Sequence, residues 1–442
     1  MSVRAYPAYR ESGAEWLGAV PAAWSLLPLK YVTSFVNGEA FKPTEWTEQG
    51  VPIIRIQNLN GGEDFNYYDG KVDKRYHVQS GDLLFGWSGN RGTSFGPFIW
   101  RGLGLYYLNQ HIFKVTPRFC DSSWLYWCLK SVTLRVEEQA HGIIGMVHVT
   151  KGELGGIQVP VPSLPEQSAI AAFLDRETGK IDALVAEQER LIALLKEKRQ
   201  AVISQAVTKG LDPNVPMKDS GVEWLGEVPA HWKIQSLKHC VKFVSGGTPN
   251  KEREEYWQGD IPWVSPKDMK SWIVSGGSDG ITPHAVEASK LTLLPVDSVL
   301  VVVRGMILAH SFPVAISVRQ VTINQDMKAL LPRTDVVASF LGWFLSANAR
   351  AIFEWIDETG HGTRALRMEG FSCLPIAIPP LTEQVRIISH LEDALAKLDA
   401  LASASSHTIT LLRERRAALI AAAVTGKIDV RDNAATEQAT AA

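Results

Sequence analysis

Several short segments of this 442-residue chain gather side chains that hydrogen-bond flat polar edges or anionic oxygens. The Gly-rich stretch GWSGNRGTSFG (86–96) carries Asn90, Arg91 and Thr93, and GGTPNKER (246–253) carries Thr248, Lys251 and Arg253. Lys267 follows an apolar run ending at Val264, and Arg304 sits beside Gly305. HGTRALRMEG (361–370) contributes Arg364 and Arg367; its counterpart HGIIGMVHVTKG (141–152) offers His141, His148 and Lys151 but no arginine. Arg and Lys meet guanine edges and phosphate, and Asn and Gln meet adenine edges, so this set suits contact with nucleic acid. Taken singly, each residue would serve equally well as a solvated surface group.

Other conspicuous residues point to structure. Asn109-Gln110 and Asn324-Gln325 recur at matching places in two halves of the chain. Readers of different targets would not share them, so a structural role is expected. The same holds for Trp16, Trp24, Trp224 and Trp232, which come from a repeated segment and are assigned to packing. Motifs of other chemistries are missing: there is no GxxxxGK(S/T) phosphate loop and no HExxH, and neither the Gly motif nor the (N/D)PP(Y/F) motif of an adenine methyltransferase occurs. A loose nuclease carboxylate cluster remains open.

The elements that would position these residues come in duplicate. SGAEWLGAVPAAW (12–24) returns as SGVEWLGEVPAHW (220–232), LNQHIFKVTPR (108–118) as INQDMKALLPR (323–333), and VPVPSLPEQ (159–167) as IAIPPLTEQ (376–384). The offset drifts from 208 to 217, and so long a period makes each copy a whole domain with a connector. Turn-bounded apolar runs at 51–59, 81–87, 111–115, 260–264 and 297–303 predict strands, and 122–139 and 338–356 predict helices.

A heptad follows each domain. Leu174, Ile181, Leu195 and Val202 are spaced by seven or fourteen, with Ile170, Leu184 and Leu191 interleaved; Ile387, Leu391, Leu398, Leu401, Leu412 and Leu419 repeat the pattern. Gln188 with Ser405, and Lys198 with Arg415, fall at matching seam positions. Pro165 suits a first helical turn, Thr382 an N-cap, and Gly210 and Gly426 helix ends. Two helices of roughly 60 Å that bury their seams on each other predict an antiparallel coiled coil. The expected organisation is α+β: a mixed α/β domain over 1–162, a spacer helix over 163–208, a linker over 209–219, a second such domain over 220–380, a second spacer helix over 381–428, and a disordered tail over 429–442. A pseudo-twofold axis relates the copies.

Bulk properties bound the class without choosing it. Apolar residues at 45% and charged residues at 21% describe a globular protein. No run reaches the roughly 18 apolar residues of a membrane span, and four scattered cysteines suggest thiols in a reducing, cytoplasmic setting. A net charge of −2 leaves room only for local basic patches on a nucleic-acid binder. A coiled-coil adaptor with two peptide-binding heads, or a nuclease, would fit the same bulk numbers.

The EWLGxVPxxW opener and the P(S/P)L(P/T)EQ helix start, each present twice and in order, resemble the specificity subunit of Type I restriction–modification enzymes over residues 9–430. The resemblance implies two target-recognition domains, each reading one half of an asymmetric, split site on double-stranded DNA. It implies spacer helices that dock two methyltransferase subunits, with motor-nuclease subunits joining for cleavage and no membrane partner. It implies no catalysis and no cofactor in this chain; S-adenosylmethionine would sit in the methyltransferase. On this reading the DNA contacts come from Asn90, Arg91, Thr93, His141, Lys151, Thr248, Lys251, Arg253, Lys267, Arg304, Arg364 and Arg367. The helix and partner interface comes from Ile170, Leu174, Ile181, Leu184, Leu191, Leu195, Leu391, Leu398, Leu401 and Leu412.

Overall fold

The computed structural model describes residues 4–139, 146–359 and 362–431. The chain divides into two units, Met1–Glu189 with Ser406–Ala442, and Arg190–Ser405. Among the described residues no helix is long and apolar enough to cross a membrane.

The first unit is built on an antiparallel sheet in the order Gly96–Ile99, Leu83–Gly86, Ile112–Pro117, Thr33–Asn37. Leu83–Gly86 is buried along its whole length. The helix Ser122–Gln139 adds Trp124, Leu125, Cys128, Leu129 and Val132 to the same core. A second sheet runs Asn66–Tyr68, Val51–Ile54, Tyr106–Leu108, His77–Val78, and a small strand pair joins Ser88–Asn90 to Met146–His148.

The second unit repeats this frame. Its main sheet runs Val241–Ser245, Met327–Pro332, Val299–Val302, Val314–Ser317, with Ile273–Val274 added at the edge. Asp279–Ile281, Trp257–Val264 and Thr322–Ile323 form its second sheet. Its third holds Arg304–Gly305, Thr363–Leu366 and Ile356–Thr359.

Three repeated contacts explain why the sequence motifs recur. The Gln of each helix-start motif is fully buried: Gln167 accepts from the Asp121 N–H at 2.7 Å and donates to the Pro162 carbonyl at 2.9 Å. Gln384 likewise accepts from the Val337 N–H at 2.8 Å and donates to the Asp335 and Pro379 carbonyls, both at 2.9 Å. Each therefore ties the start of the domain helix to the start of the long helix, and removing it would orphan buried backbone groups. Gly38 and Gly246 pass so close to the next strand that a Cβ would lie 2.1–2.3 Å from the carbonyl oxygens of residues 108 and 109, or 323 and 324. Gly210 and Gly426 end the long helices at φ +75° and +72°, against Pro229 and Trp232 in one unit and Pro21 and Trp24 in the other.

The long helices are Leu164–Lys209 and Leu381–Val424. In the first unit Ile170 and Leu174 share a core with Ile420, Ala423 and Val424, and Asp182 pairs with Arg416 at 2.8 Å. In the second unit Ile203, Ala206 and Val207 share a core with Ile387, Leu391 and Leu395, and Arg199 pairs with Asp399 at 2.8 Å. Within each unit the helix segments run antiparallel. The two ion pairs are repeat images: Asp182 to Asp399, and Arg199 to Arg416, are each a step of 217.

The structure departs from the expected elements at several points. The strand over 51–59 stops at Ile54, because the buried Asn58 side chain accepts the Arg55 N–H at 2.9 Å and closes a helical turn. The helix over 338–356 breaks at Asn348, whose side chain donates to the Phe344 carbonyl at 2.8 Å; a strand begins at Ile356. Thr382 lies inside the helix that Leu381 opens, so it is not the cap. One seam column is as expected: Leu174, Ile181, Gln188 and Leu195, with Leu391, Leu398, Ser405 and Leu412. The other column is Thr178, Val185, Ile192 and Arg199, with Leu395, Ala402, Ile409 and Arg416. Leu184, Leu191 and Leu401 lie one position off it and are exposed, as are Lys198 and Arg415. A heptad steps by three or four, and Leu184 and Val185 both satisfy the apolar pattern. Met217–Asp219, in the expected linker, pairs with Glu227–Pro229. Asp429–Arg431 belong to the described residues, with Val430 buried; the rest of the expected tail, 432–442, lies outside them.

Candidate nucleic-acid interface

Strand pairing sets Arg304 and Arg364 on adjacent strands but on alternate faces, with Arg367 just beyond the second strand. Arg304 faces Ala365, and Gly305 faces Arg364, on one three-stranded sheet. Arg364 leans on Glu358 at 3.4 Å; Arg367 meets Asp357 at 3.1 Å and donates to the Glu354 carbonyl at 2.8 Å. All three lie at or near the surface, where such pairs are weak enough to exchange for another anion.

The matching edge of the first unit differs. Asn90 faces Met146, and the turn that follows is closed by the Asn90 carbonyl, which accepts from the N–H groups of Thr93, Ser94 and Phe95. Arg91 donates to the Glu137 carbonyl, and the Gly92 N–H donates to Glu137 Oε1 at 2.8 Å. This arginine fastens the turn to the end of the domain helix. Lys151 stands exposed at the start of the short helix Lys151–Gly156, and His141 lies outside the described residues.

A second pair of sites lies beside the smaller sheets, one in each unit. A cleft of about 410 Å³ is lined by Lys251, Trp257, Trp263, Ser265, Lys267 and Asp279. Lys267 Nζ bonds Asp279 at 2.8 Å, and that bond holds the lysine above its ordinary pKa. Nearby, Thr248 bonds Gln325, and Arg253 bonds the Tyr256 hydroxyl at 3.1 Å while stacking over its ring. A cleft of about 310 Å³ in the first unit is lined chiefly by Trp46, Arg55, Gln57, Gln110 and His111. Arg55 lies 4.9 Å over the Trp46 ring and bonds Asn66 Oδ1 at 2.7 Å.

Strand register makes these two clefts equivalent. Ile53 faces Asn66 and runs beside Tyr107; Trp263 faces Asp279 and runs beside Thr322. Asn66 therefore corresponds to Asp279, Arg55 to Ser265 and Gln57 to Lys267. Asn58 and Asp268 occupy the same capping place, accepting N–H bonds from Arg55 and Ser265, both at 2.9 Å. Trp46 and Trp257 each follow a 3-10 turn. The sequence singled out Lys251 and Lys267 of the second cleft, but of the first only Asn109 and Gln110, and those as structural. Asn109 and Asn324, expected to be structural, are buried, and their N–H groups bond the Ile54 and Val264 carbonyls at 3.1 and 2.9 Å.

On the helices, Ile170, Leu174, Ile181, Leu195 and Leu391 are buried and Leu398 and Leu412 half-buried. The first unit leaves Leu184 and Leu411 exposed, and the second leaves Leu191, Leu194 and Leu401 exposed. Lys130 is sunk between the Phe98 and Tyr126 rings; burial, and then the Arg416 charge, pull it down to about 8.

Comparison with known proteins places this architecture. The family described as Type I restriction modification DNA specificity domain matches twice, over residues 21–192 and 229–410. The Escherichia coli EcoR124I/EcoR124II specificity subunit is 31% identical over 53% of this chain, and the EcoBI specificity subunit 29% identical over 45%. Those matches span 54% and 41% of the two relatives, so the chain spans about half the length of these curated proteins. A chain from a structure of type I R-M complex assembly is similar in fold, with a TM-score of 0.69 at 15% identity, covering 92% of this chain and 98% of that one. The HsdS subunit from Thermoanaerobacter tengcongensis gives a TM-score of 0.55 at 15% identity, over 95% of this chain and 100% of its own. Matched in both copies of its repeat, the chain belongs to the Type I restriction modification DNA specificity domain family.

Proposed function

We propose that this chain is the DNA sequence-recognition subunit of a Type I restriction–modification complex, each unit reading one half of an asymmetric bipartite site. The observation that carries this is the double family match on a frame whose core sheet and long helix recur in each unit, while the polar residues at its edges differ. A shared frame with diverged polar edges suits two readers of two sequences. The exposed arginines Arg304, Arg364 and Arg367, with Asn90, Thr93, Lys151, Thr248, Lys251, Arg253 and Lys267, are the proposed DNA contacts. Leu184, Leu191 and Leu401, exposed on helices whose seams are otherwise closed, are proposed to dock the methyltransferase subunits. The chain itself performs no chemistry on this reading; S-adenosylmethionine binds the methyltransferase, motor-nuclease subunits join for cleavage, and the complex works in the cytoplasm.

Co-purification with the cognate methyltransferase, followed by binding to duplex DNA across a salt series, tests the proposal. A stable complex should form, and its DNA affinity should fall linearly on a log–log salt plot as phosphates displace counterions. A chain that neither assembles with the methyltransferase nor yields salt-dependent DNA binding would overturn it.

A further inference from the structure

Two sites at one place in a duplicated frame invite a test of what they share. Both clefts have a tryptophan at the same position, Trp46 or Trp257. Both hold a cation against the same residue of the neighbouring strand, Arg55 on Asn66 and Lys267 on Asp279. The frame around them is fixed by repeated residues, Asn109 with Asn324 and Gly38 with Gly246. Apart from the repeated Asn109-Gln110, the polar lining is not shared: Arg55, Gln57 and His111 line the first, and Lys251, Ser265, Lys267 and Asp279 line the second. A cleft that merely completed the fold would keep its polar partners, as Gln167 with Gln384 and Asn109 with Asn324 do. The cations also differ in kind and setting: Lys267 is paired with Asp279 beside Lys251, whereas Arg55 bonds an amide.

We infer that the two clefts are base-reading sites, with Arg55 and Gln57 setting the bases preferred by the first unit and Lys267 and Asp279 those preferred by the second. This rests on the DNA-recognition reading above. The chemistry differs as two half-sites require. Arg55, oriented by the Trp46 face and the Asn66 amide, presents a rigid fork that matches the O6 and N7 acceptors of guanine. Gln57 matches the donor–acceptor pair of adenine, Lys267 donates to guanine, and Asp279 accepts from the cytosine amino group. The first unit is expected to favour purines on the strand it reads, and the second to favour guanine or cytosine.

Reciprocal exchange at equivalent positions tests this. One variant carries Gln57→Lys with Asn66→Asp; the other carries Lys267→Gln with Asp279→Asn. Each is assembled with the methyltransferase and used to select from a randomised duplex library, alongside the single variants Gln57→Ala and Lys267→Ala in case an exchange disturbs folding. Each variant should change or relax base preference in one half of the selected motif, by roughly tenfold to a hundredfold, and leave the other half as in the parent. An unchanged motif, whether binding is unaltered or weakened equally on every sequence, would make these residues phosphate anchors or bystanders and overturn the inference. If the parent complex itself selects no split motif, the DNA-recognition reading fails instead.

Discussion

In the first unit the arginine at the small strand pair, Arg91, bonds the Glu137 carbonyl, whereas the second unit carries Arg304 and Arg364 on one sheet and Arg367 just beyond it. The clefts reverse the balance: an arginine with a neutral partner lines the first, and a lysine–aspartate pair lines the second. Equivalent frames thus present cationic groups from different places. Duplication preserved the buried polar joints, Gln167 with Gln384 and Asn109 with Asn324, while the polar edges diverged.

If the frame is shared, matched buried positions should cost alike. Leu174→Ala and Leu391→Ala, both fully buried on the long helices, should each lose about 3–4 kcal/mol in thermal or denaturant unfolding. A large loss at one and none at the other would break the equivalence of the two units.

Lys130 sharpens the contrast, because its counterpart in the second unit is Ser346. Its folded pKa of about 8 lies below the ordinary 10.5, so the charged lysine opposes folding at neutral pH. Removing that penalty by Lys130→Met should gain at most roughly 3 kcal/mol. The penalty is complete below about pH 8 and fades as pH rises towards 10.5, since only the unfolded chain then keeps the proton. The stability gap between parent and variant should narrow over that window; a gap constant across it would contradict this assignment.

The exposed leucines separate folding from assembly. Leu184→Asp with Leu401→Asp should change stability by less than about 0.5 kcal/mol while weakening methyltransferase binding at least about tenfold, measured by calorimetric titration. A collapse of the fold would return these residues to the seam. Smallest of all, Asp182→Ala and Asp399→Ala should each cost below about 1 kcal/mol, because both carboxylates are solvent-exposed.

How much of this was legible follows burial. The repeat, the long helices and the role of Asn109 and Asn324 were readable because buried contacts such as those of Gln167 and Gln384 tolerate no change of residue type. The second seam column was misplaced by one residue because adjacent Leu184 and Val185 fit the same spacing. As a site, the first-unit cleft was invisible for two reasons. Insertions shift the offset from 210 at Ile54 and Val264 to 213 at Asn66 and Asp279 and 215 at Asn109 and Asn324, so no simple alignment pairs the linings. Their residue types have also diverged. The glycine-rich surroundings of Arg91 suit a DNA-contacting turn and equally a turn docked on a helix end.

The central claim, that this chain selects a split DNA site for methylation, is tested most directly by mapping adenine methylation in the source cell with and without the gene. A bipartite, asymmetric methylated motif that disappears on deletion is the predicted result. An unchanged pattern, with the partner methyltransferase expressed and active, would contradict it.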